Sequence, residues 1–522
     1  MQACLPTERE SATARELENG FIQPETDKVL VSSQPASLYN LNFGIKLTRN
    51  HLLQQVTWDG EDDPANPKNW TSMRKWKALF AMSSFVFMSP LSSTIVAPAL
   101  PAIASDLKIT QQAVEQMVLS IFLLDFAYGP LVASPLSEIY GRMRIVQTWN
   151  LMYIAFNAAC GAARTKESII ILRFMAGLCG SATLGIGGGT LSNLFRAQDR
   201  GKAVAIYSWS PILAPLVGAV LGGFIAQNTT RRWTFYASSL LSIAVQLSGL
   251  IFLEATYPPL LLRRKKARQA KATGANNLYT DYDYLDDGRM QVLSTNLFRP
   301  FKLLATQPII QILALYNACR YGNIYILYAD YINMWTNVYG ESIQVAGLNY
   351  IAIAIGSSIA AECCTLINDA IYRILSNRNG GIGVPEFRVP IMLPATLLLS
   401  AGLFWYGWTA EKRMHWIMPN IGTSIFIAGA LACTISLNAY VIDTYGRYSA
   451  SGLAAVSTMR CIAGFTFPMF APYMYSSLGY GWAGSTLGFI ALVIGLPAAV
   501  LLGVYGKFLR SKSPYASNTS QD

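Results

Sequence analysis

Several charged residues lie inside otherwise apolar stretches of this sequence, and three of them are the residues best suited to chemistry. Asp125 lies in the middle of the apolar segment 112–134, and Arg173 and Arg320 lie within two other such segments. A charged side chain inside a membrane is costly unless it faces a partner or a water-filled cavity, so it usually marks a pathway for ions or substrates. Burial also favours the neutral form of a carboxylate, which makes Asp125 a candidate proton carrier. We therefore predict a transport and coupling site formed by these three residues.

Each of the three residues has an alternative role. The alternative for Asp125 is a structural hydrogen bond to an adjacent helix. Arg173 lies only about 8 Å into its segment at 1.5 Å per residue, so the alternative is a guanidinium that extends to the outer surface. That depth also makes a direct pair with Asp125 doubtful in straight helices. Arg320 lies about 20 Å from the inner end of its segment, near the midplane, and is an equally good partner for Asp125.

The composition argues against the common catalytic and metal sites. Hydrophobic residues make up 52% of the 522 residues and charged residues only 13%, which is typical of a protein that crosses a membrane many times. There are two histidines, His51 in the polar N-terminal region and His415 at the start of an apolar segment. No two cysteines have the spacing of zinc or haem ligands. We expect no enzyme activity, no metal and no cofactor.

Twelve apolar segments position the charged residues, in two sets of six with one long polar stretch between them. Each is long enough to cross a hydrocarbon core, which takes about 20 helical residues. The segments are 77–99, 112–134, 145–163, 168–195, 202–226 and 233–256, followed by 306–336, 344–366, 388–410, 415–442, 449–477 and 482–506. We predict an all-α membrane protein with twelve transmembrane helices in two six-helix bundles.

The polar stretches complete the predicted domain organisation. Residues 1–75 lack the early apolar stretch of a signal peptide and are predicted to form a disordered cytoplasmic tail. The stretch 257–305 starts with a basic run and is predicted to be a cytoplasmic linker, partly disordered or with short surface helices. The predicted regions are the tail 1–75, a first bundle 76–256, the linker 257–305, a second bundle 306–506 and a C-terminal cytoplasmic tail 507–522.

The basic residues predict which side of the membrane the chain ends face. The net charge is +11, and most lysines and arginines fall in alternate short loops and in the linker. This distribution follows the positive-inside rule, so it predicts cytoplasmic termini and argues against nucleic acid as a partner. Arg231, Arg232, Lys412 and Arg413 fall on the predicted outer side and oppose the bias. Asn228 begins a sequon on that side and is a glycosylation candidate, although it lies close to the membrane.

Two loops repeat the same spacing of charges. Glu138 precedes Gly141 and Arg142 after the second segment, and Asp369 precedes Arg373 after the eighth. Both loops place an acid four residues before an arginine at corresponding positions of the two halves, as an internal repeat would. Such a carboxylate and an arginine that pairs with a neighbouring helix would form a cytoplasmic latch between the halves. The alternative is an ordinary basic loop at the inner surface.

The fifth and seventh segments carry residues that would shape a cavity. Small and helix-bending residues recur at helical spacing in the fifth segment, where they favour bending and close helix packing; they are Pro211, Pro215, Gly218, Gly222 and Gly223. Tyr321, Tyr325 and Tyr328 share one face of the seventh segment. A cavity lined by tyrosines would suit a flat or amphipathic organic substrate. The alternative for each tyrosine is packing or a position at the membrane interface.

Several of these motifs resemble signatures of the major facilitator superfamily. Arg173 to Gly177 resembles its fourth-helix Arg-x-x-x-Gly pattern, Ser134 to Arg144 resembles its loop 2–3 motif, and the fifth segment resembles its antiporter motif. The stretch 58–70 is similar to the segment before the first helix in fungal twelve-span drug:proton antiporters, a branch that includes polyamine, cycloheximide and secondary-metabolite exporters. The resemblance spans about residues 58–510. It implies two six-helix bundles, a central cavity between them and alternating access driven by the proton gradient.

The residues and the resemblance together lead us to expect a proton-coupled efflux transporter of the plasma membrane. The first hypothesis is export of a small organic molecule, most plausibly a fungal secondary metabolite or toxin. Export of a polyamine or an organic acid is the alternative, and Arg173 and Arg320 argue against a cation. A membrane receptor without transport is the alternative from a different class. The expected partners are the substrate, protons and the lipid bilayer, and we expect a monomer.

Overall fold

The chain is almost entirely helical in the computed structural model, which describes residues 54–60, 62–196, 199–274, 278–283 and 289–516. Most of the predicted N-terminal tail, parts of the predicted linker and residues 517–522 of the predicted C-terminal tail lie outside the described residues.

Apolar helices that run back and forth make up the first half. They are α1 (Ser72–Thr94), α2 (Leu100–Asp106), α3 (Gln112–Tyr140), α4 (Arg142–Ala162), α5 (Lys166–Leu194), α6 (Arg200–Asn228) and α7 (Arg231–Phe252). Local sequence sets their ends. Thr165 and Ser168 cap the start of α5 by bonding each other's backbone N–H groups, which would otherwise lack partners. Gly141 separates α3 from α4 with φ at 96°, a conformation that glycine adopts most readily.

The connection between the halves contains two amphipathic or polar helices. A short strand, β1 (Gln54–Gln55), precedes the first half, and α8 (Pro258–Thr273), β2 (Leu278–Tyr279) and α9 (Arg289–Thr306) follow it. Val56 donates its backbone N–H to the carbonyl of Tyr279 at 2.8 Å. The ammonium group of Lys265 on α8 lies 2.6 Å from Asp59 and 3.7 Å from Asp63. We call this docking of residues 56–60 and 62–65 on α8 and β2 the clasp.

The second half repeats the helical pattern of the first. Its helices are α10 (Pro308–Asn337), α11 (Ile343–Leu348), α12 (Ile351–Arg378), α13 (Met392–Glu411), α14 (Ile417–Tyr445), α15 (Ser449–Thr466) and α16 (Ala471–Ser511), with a 3-10 turn at Pro385–Ile391 before α13. Gly479 interrupts α16 with φ of 69° and ψ of 173°. The interruption falls at the predicted boundary between the last two apolar segments.

The helices agree in position with the predicted apolar segments. Among the described residues, nine helical stretches are long and apolar enough to cross a membrane. Helices α4, α10 and α15 cover three further predicted segments. The all-α membrane architecture is therefore confirmed, and the count of twelve crossings remains a prediction. α12 continues to Arg378, about three turns beyond the predicted segment, so it extends the eighth helix past the apolar region.

Apolar contact between the halves is concentrated on the side away from the start of α1 and the end of α16. The largest hydrophobic cluster includes Val96 and Leu100 from the first half and Trp335 and Tyr350 from the second. The other end of the second half forms a separate cluster, in which Leu303, Ile310, Leu437 and Leu502 take part. The halves are thus packed together most continuously at the end far from the chain termini.

Candidate functional site

Asp125 lies in the middle of α3 with its side chain completely buried, at 0% exposure. Gly177 of α5 lies opposite, so close that any side chain at this position would overlap the Asp125 carboxylate. Ser181 of α5 donates a hydrogen bond to the backbone carbonyl of Asp125 at 3.0 Å. Within the described residues neither carboxyl oxygen has a hydrogen-bond partner. The side chain therefore makes no structural hydrogen bond there, which leaves it free to bind a proton.

Arg173 of α5 is also fully buried and does not extend to the outer surface. Its Nε donates to the carbonyl of Val118 at 3.4 Å, and its Nη1 donates to the carbonyl of Ser92 at 3.2 Å. The guanidinium carbon lies 4.6 Å from the centroid of the Phe122 ring, within range of a cation–π interaction. Nη2 has no hydrogen-bond partner among the described residues. Arg173 thus ties α5 to α1 and α3.

Asp125 and Arg173 face the same contact between α3 and α5 without forming an ion pair. Gly177, which lies against Asp125, is one helical turn beyond Arg173. None of the ion pairs within 4.0 Å in the described part of the chain joins the two groups. Opposite charges at the same helix contact attract each other even without a direct ion pair. The arrangement is a carboxyl group and a guanidinium group on facing helices that are not in direct contact.

Arg320 lies in α10 and is 4% exposed. Its Nη1 donates to the carbonyl of Ala430 on α14 at 3.2 Å, and its Nη2 donates to the side chain of Asn317. Its Nε has no partner among the described residues. No carboxylate of those residues lies within 4.0 Å of it. Arg320 is therefore not paired with Asp125 in this arrangement.

The three predicted cavity tyrosines form one row along α10. The ring centroids of Tyr321 and Tyr325 are 4.9 Å apart, and those of Tyr325 and Tyr328 are 5.3 Å apart. Tyr325 shares a hydrophobic cluster with Phe122 of the first half and Cys461 of α15. The row therefore lies at the contact between the halves, which is where the resemblance expects the substrate cavity.

Sequence reasoning did not assign a role to Arg460 of α15. Its guanidinium carbon lies 4.7 Å from the centroid of the Tyr321 ring. One turn further along α15, Gly464 lies against Tyr321 and against Leu123 of α3. Arg460 thus faces the same region as the tyrosine row. An arginine inside an apolar segment was available as a signal, because Arg173 and Arg320 were singled out on that ground.

The first latch sequence is held within its own half and by the linker. Gly141 lies against Leu260 of α8. The Arg142 guanidinium lies against Gly189 of α5, and its carbon is 5.1 Å from the centroid of the Tyr257 ring. Glu138 is exposed and forms no ion pair with Arg142 within 4.0 Å. The interaction of this sequence with the second half remains a prediction.

In the second latch sequence the acid pairs with Arg388 and not with the nearby Arg373, and its role as a latch remains a prediction. Asp369 accepts a 2.7 Å ion pair from Arg388, which also contacts Asp443 at 3.0 Å. Arg373 donates instead to the backbone carbonyl of Asp369 at 3.3 Å. The 3-10 turn before α13 brings Arg388 back to the end of α12, and this is why it reaches the carboxylate first. Asp369 therefore links α12 to the start of α13 and the end of α14.

The small residues of α6 lie where other helices come closest. A side chain at Gly218 would overlap Thr94, and one at Gly222 would overlap the carbonyl of Ile95. Gly223 faces the backbone of Ile343 in the second half, where an added methyl carbon would lie 2.9 Å from its carbonyl oxygen. Pro211 and Pro215 lie inside the same helix. This face of α6 is therefore in close contact with α1 on one side and with α11 on the other.

Two polar groups lie at the side of the bundle away from the termini. Asn228 is exposed at the last residue of α6 and donates a hydrogen bond to the carbonyl of Phe224 at 2.9 Å. Its glycosylation remains a prediction. Asp330 is buried at 6% exposure and accepts a 2.8 Å hydrogen bond from Tyr480. Asp330 thus ties α10 to α16 just after the interruption at Gly479.

Comparison with known proteins agrees with this architecture. Residues 82–468 match the family described as the Major Facilitator Superfamily. The efflux pump vrtL of Penicillium aethiopicum is 44% identical over 466 residues, which are 88% of this chain and 91% of that protein. The efflux pump radE of Floropilus chiversii is 38% identical over 462 residues, which are 87% of this chain and 85% of the pump.

Solved structures share the fold at low sequence identity. The crystal structure of a D-xylose–proton symporter superposes with a TM-score of 0.60 at 12% identity, and covers 85% of this chain and 98% of the symporter. The partially occluded inward-open form of the xylose transporter XylE from E. coli superposes with a TM-score of 0.58 at 13% identity, over 82% of this chain and 98% of XylE. The chain therefore belongs to the Major Facilitator Superfamily, in its branch of fungal efflux proteins, and is a membrane transporter and not an enzyme.

Proposed function

We propose that the protein exports a small organic molecule, a fungal secondary metabolite or toxin, and that inward flow of protons through Asp125 drives the export. The observation that carries the proposal is the completely buried Asp125 carboxyl group without a hydrogen-bond partner among the described residues. Two relatives that cover most of the chain are named efflux pumps, which supports the direction of transport.

The packing of the halves supports alternating access. Apolar contact between them is most continuous far from the termini, while the other end of the second half has a cluster of its own. With cytoplasmic termini, this arrangement faces inward. A rocking movement of the two halves would exchange these contacts for contacts at the inner side and open the site outward.

Asp125 and Arg173 couple a proton to this movement. When Asp125 is charged, its attraction to Arg173 holds α3 against α5. A proton from outside neutralises the carboxylate, and Arg173 then keeps only its bonds to the carbonyls of Ser92 and Val118. The proton shifts the balance between the inward- and outward-open states only if the two states bind it with different affinity. The α3–α5 contact supplies that difference, because it borders the tyrosine row at the centre.

Efflux from proteoliposomes with an imposed pH gradient tests the proposal. A panel of neutral, cationic and anionic aromatic compounds first identifies one whose efflux the gradient accelerates in the wild type. Asp125→Asn is then expected to abolish that acceleration and to leave binding of the same compound measurable. Acceleration of the wild-type size in the variant would remove Asp125 from the coupling mechanism.

We further propose that the protein resides in the plasma membrane with both termini in the cytoplasm. The orientation is inferred from the placement of lysine and arginine, and the run from Arg263 to Arg268 is the most basic stretch. Epitope tags at either end are expected to be inaccessible on intact cells and accessible after permeabilisation. Labelling of a tag within α8 from outside would reverse the assigned orientation.

A further inference from the structure

Two arginines of the second half flank a single tyrosine ring. The guanidinium carbon of Arg460 lies 4.7 Å from the centroid of the Tyr321 ring, and that of Arg320 lies 6.0 Å from it. Arg320 comes from α10 and Arg460 from α15, so two different helices converge on this ring. Because both guanidinium groups lie near the same ring, their positive charges repel each other.

The described residues supply no counter-charge to this pair of arginines. No carboxylate oxygen of those residues lies within 4.0 Å of Arg320 or Arg460. The Nε atoms of both arginines are buried without a hydrogen-bond partner. Asp369 and Asp443 of the second half are engaged elsewhere, since both bind Arg388.

Buried positive charge of this kind needs an anion. Removing a charged group from water is expensive, and an unpaired charge in a protein interior keeps that penalty. Two guanidinium groups that converge without a carboxylate are therefore unfavourable when the site is empty and favourable when an anion binds. Arginine also has the planar set of donors that matches the two oxygens of a carboxylate.

The surroundings of the pair define the rest of the ligand. Tyr321 and Tyr325 present adjacent aromatic rings, tilted relative to each other, beside the guanidinium groups. Gly464, one turn beyond Arg460, borders both Tyr321 and Leu123 of the first half. The region is therefore at the contact between the halves, where a transported molecule has to pass, and it combines two cationic groups with flat apolar walls.

We propose that Arg320 and Arg460 form a binding site for the acidic group of an organic anion, with the flat apolar body of the ligand against Tyr321 and Tyr325. The proposal rests on the proposed function, because it makes the exported compound an aromatic or unsaturated organic acid. It assigns Arg460 to substrate recognition and separates that role from the acid Asp125, which lies on the other half.

Paired ligands that differ only in charge test the site. The full-length protein, purified in detergent, is titrated with 2-naphthoate and with the neutral 2-naphthamide, and with benzoate and benzamide, and binding is followed by the shift in thermal unfolding midpoint. Each carboxylate is expected to bind at least tenfold more tightly than its amide. Equal affinity within both pairs would overturn the proposal.

Matched variants assign the preference to the two arginines. Arg320→Gln and Arg460→Gln are each expected to weaken 2-naphthoate at least tenfold and to change 2-naphthamide binding less than twofold. Arg413→Gln removes the same charge from an exposed turn and should leave both affinities unchanged. Binding of 2-naphthoate that survives both glutamine substitutions would exclude the site.

The stability of the empty protein is a second readout. If Arg460 lacks a counter-charge, Arg460→Gln should unfold at the wild-type midpoint or above it in the absence of ligand. If Arg460 is a structural residue, the midpoint falls, and this would count against the proposal even where binding is lost. Arg460→Lys retains the charge and should recover part of the 2-naphthoate affinity.

The two proposals fail in different ways. If the pH gradient drives efflux of a neutral compound and Arg460→Gln does not change that efflux, the protein is an exporter but the anion site is wrong. If 2-naphthoate binds in an arginine-dependent way but no compound in the panel is exported, the anion site is supported and the proposed export function is wrong.

Discussion

Asp125 of α3 lies directly against Gly177 of α5, and the carboxylate occupies the space that any larger residue at position 177 would need. The buried acid and the glycine therefore form one structural unit. The glycine admits the carboxyl group between the helices, and Arg173 lies one turn away on the same helix. If Asp125 carries the proton as proposed, the glycine is as important for coupling as the acid.

Gly177→Ala should damage the protein at this contact. The added methyl group must displace the Asp125 carboxylate or push α3 from α5, which typically costs about 1–3 kcal/mol. We expect a lower thermal midpoint and loss of pH-driven efflux. Gly188→Ala is the control, because Gly188 lies on the same helix with nothing within 4 Å of an added methyl carbon. An intact pH response in Gly177→Ala would contradict the role of this contact.

Arg142→Ala is expected to slow transport by about fivefold or more while delivery to the membrane stays near the wild-type level. The guanidinium packs against Gly189 and the Tyr257 ring, and its loss would loosen the first half from the linker. The neighbouring Arg144 is exposed, so Arg144→Ala should change transport less than twofold. If the Arg142→Ala variant reaches the cell surface and transports at the wild-type rate, the latch hypothesis is wrong.

The clasp should be stable to mild acid and should open only at low pH. The backbone N–H of Asp59, with smaller contributions from Ala65 and Lys265, holds the pKa of Asp63 below its ordinary value of 3.8 against the effect of burial. Because folding lowers this pKa, the carboxylate stabilises the clasp above its unfolded-state pKa. That contribution is lost as the pH falls through the folded-state value.

Hydrogen exchange of residues 56–65 measures this pH dependence. Protection, corrected for the intrinsic pH dependence of exchange, should be constant from pH 7 to about 4 and fall below that. Asp63→Asn should lose protection already at pH 7, by roughly 1–3 kcal/mol for the charged hydrogen bonds. Asp62→Asn alters an exposed neighbour and should behave as wild type. If protection were instead lost around pH 6, a group other than Asp63 would control the pH dependence of the clasp.

The architecture could be predicted from the sequence because length and apolarity alone determine which stretches cross a membrane. The buried positions of Asp125, Arg173 and Arg320 follow from the same reasoning, since charges are rare in such stretches. Which residues they contact could not be predicted. Asp369 has Arg373 four residues away but pairs with Arg388, because side-chain partners depend on how a later turn returns to the helix. Arg460 carries the same signal as Arg320, but only the convergence of α10 and α15 on Tyr321 brings the two arginines together.

The linker contacts both halves, and these contacts limit the distance by which the halves can move apart. Lys266 of α8 binds Asp283 at 2.6 Å, and α8 in turn contacts the first half, where Leu260 lies against Gly141. Arg299 of α9 lies over the Tyr448 ring at 5.2 Å and fixes the chain to the second half. The six steps from Asp283 to the start of α9 reach at most about 20 Å even when fully extended. The linker thus limits how far the inner ends of the two bundles can separate, and a wider opening requires Asp283 to leave Lys266 or Arg299 to leave Tyr448.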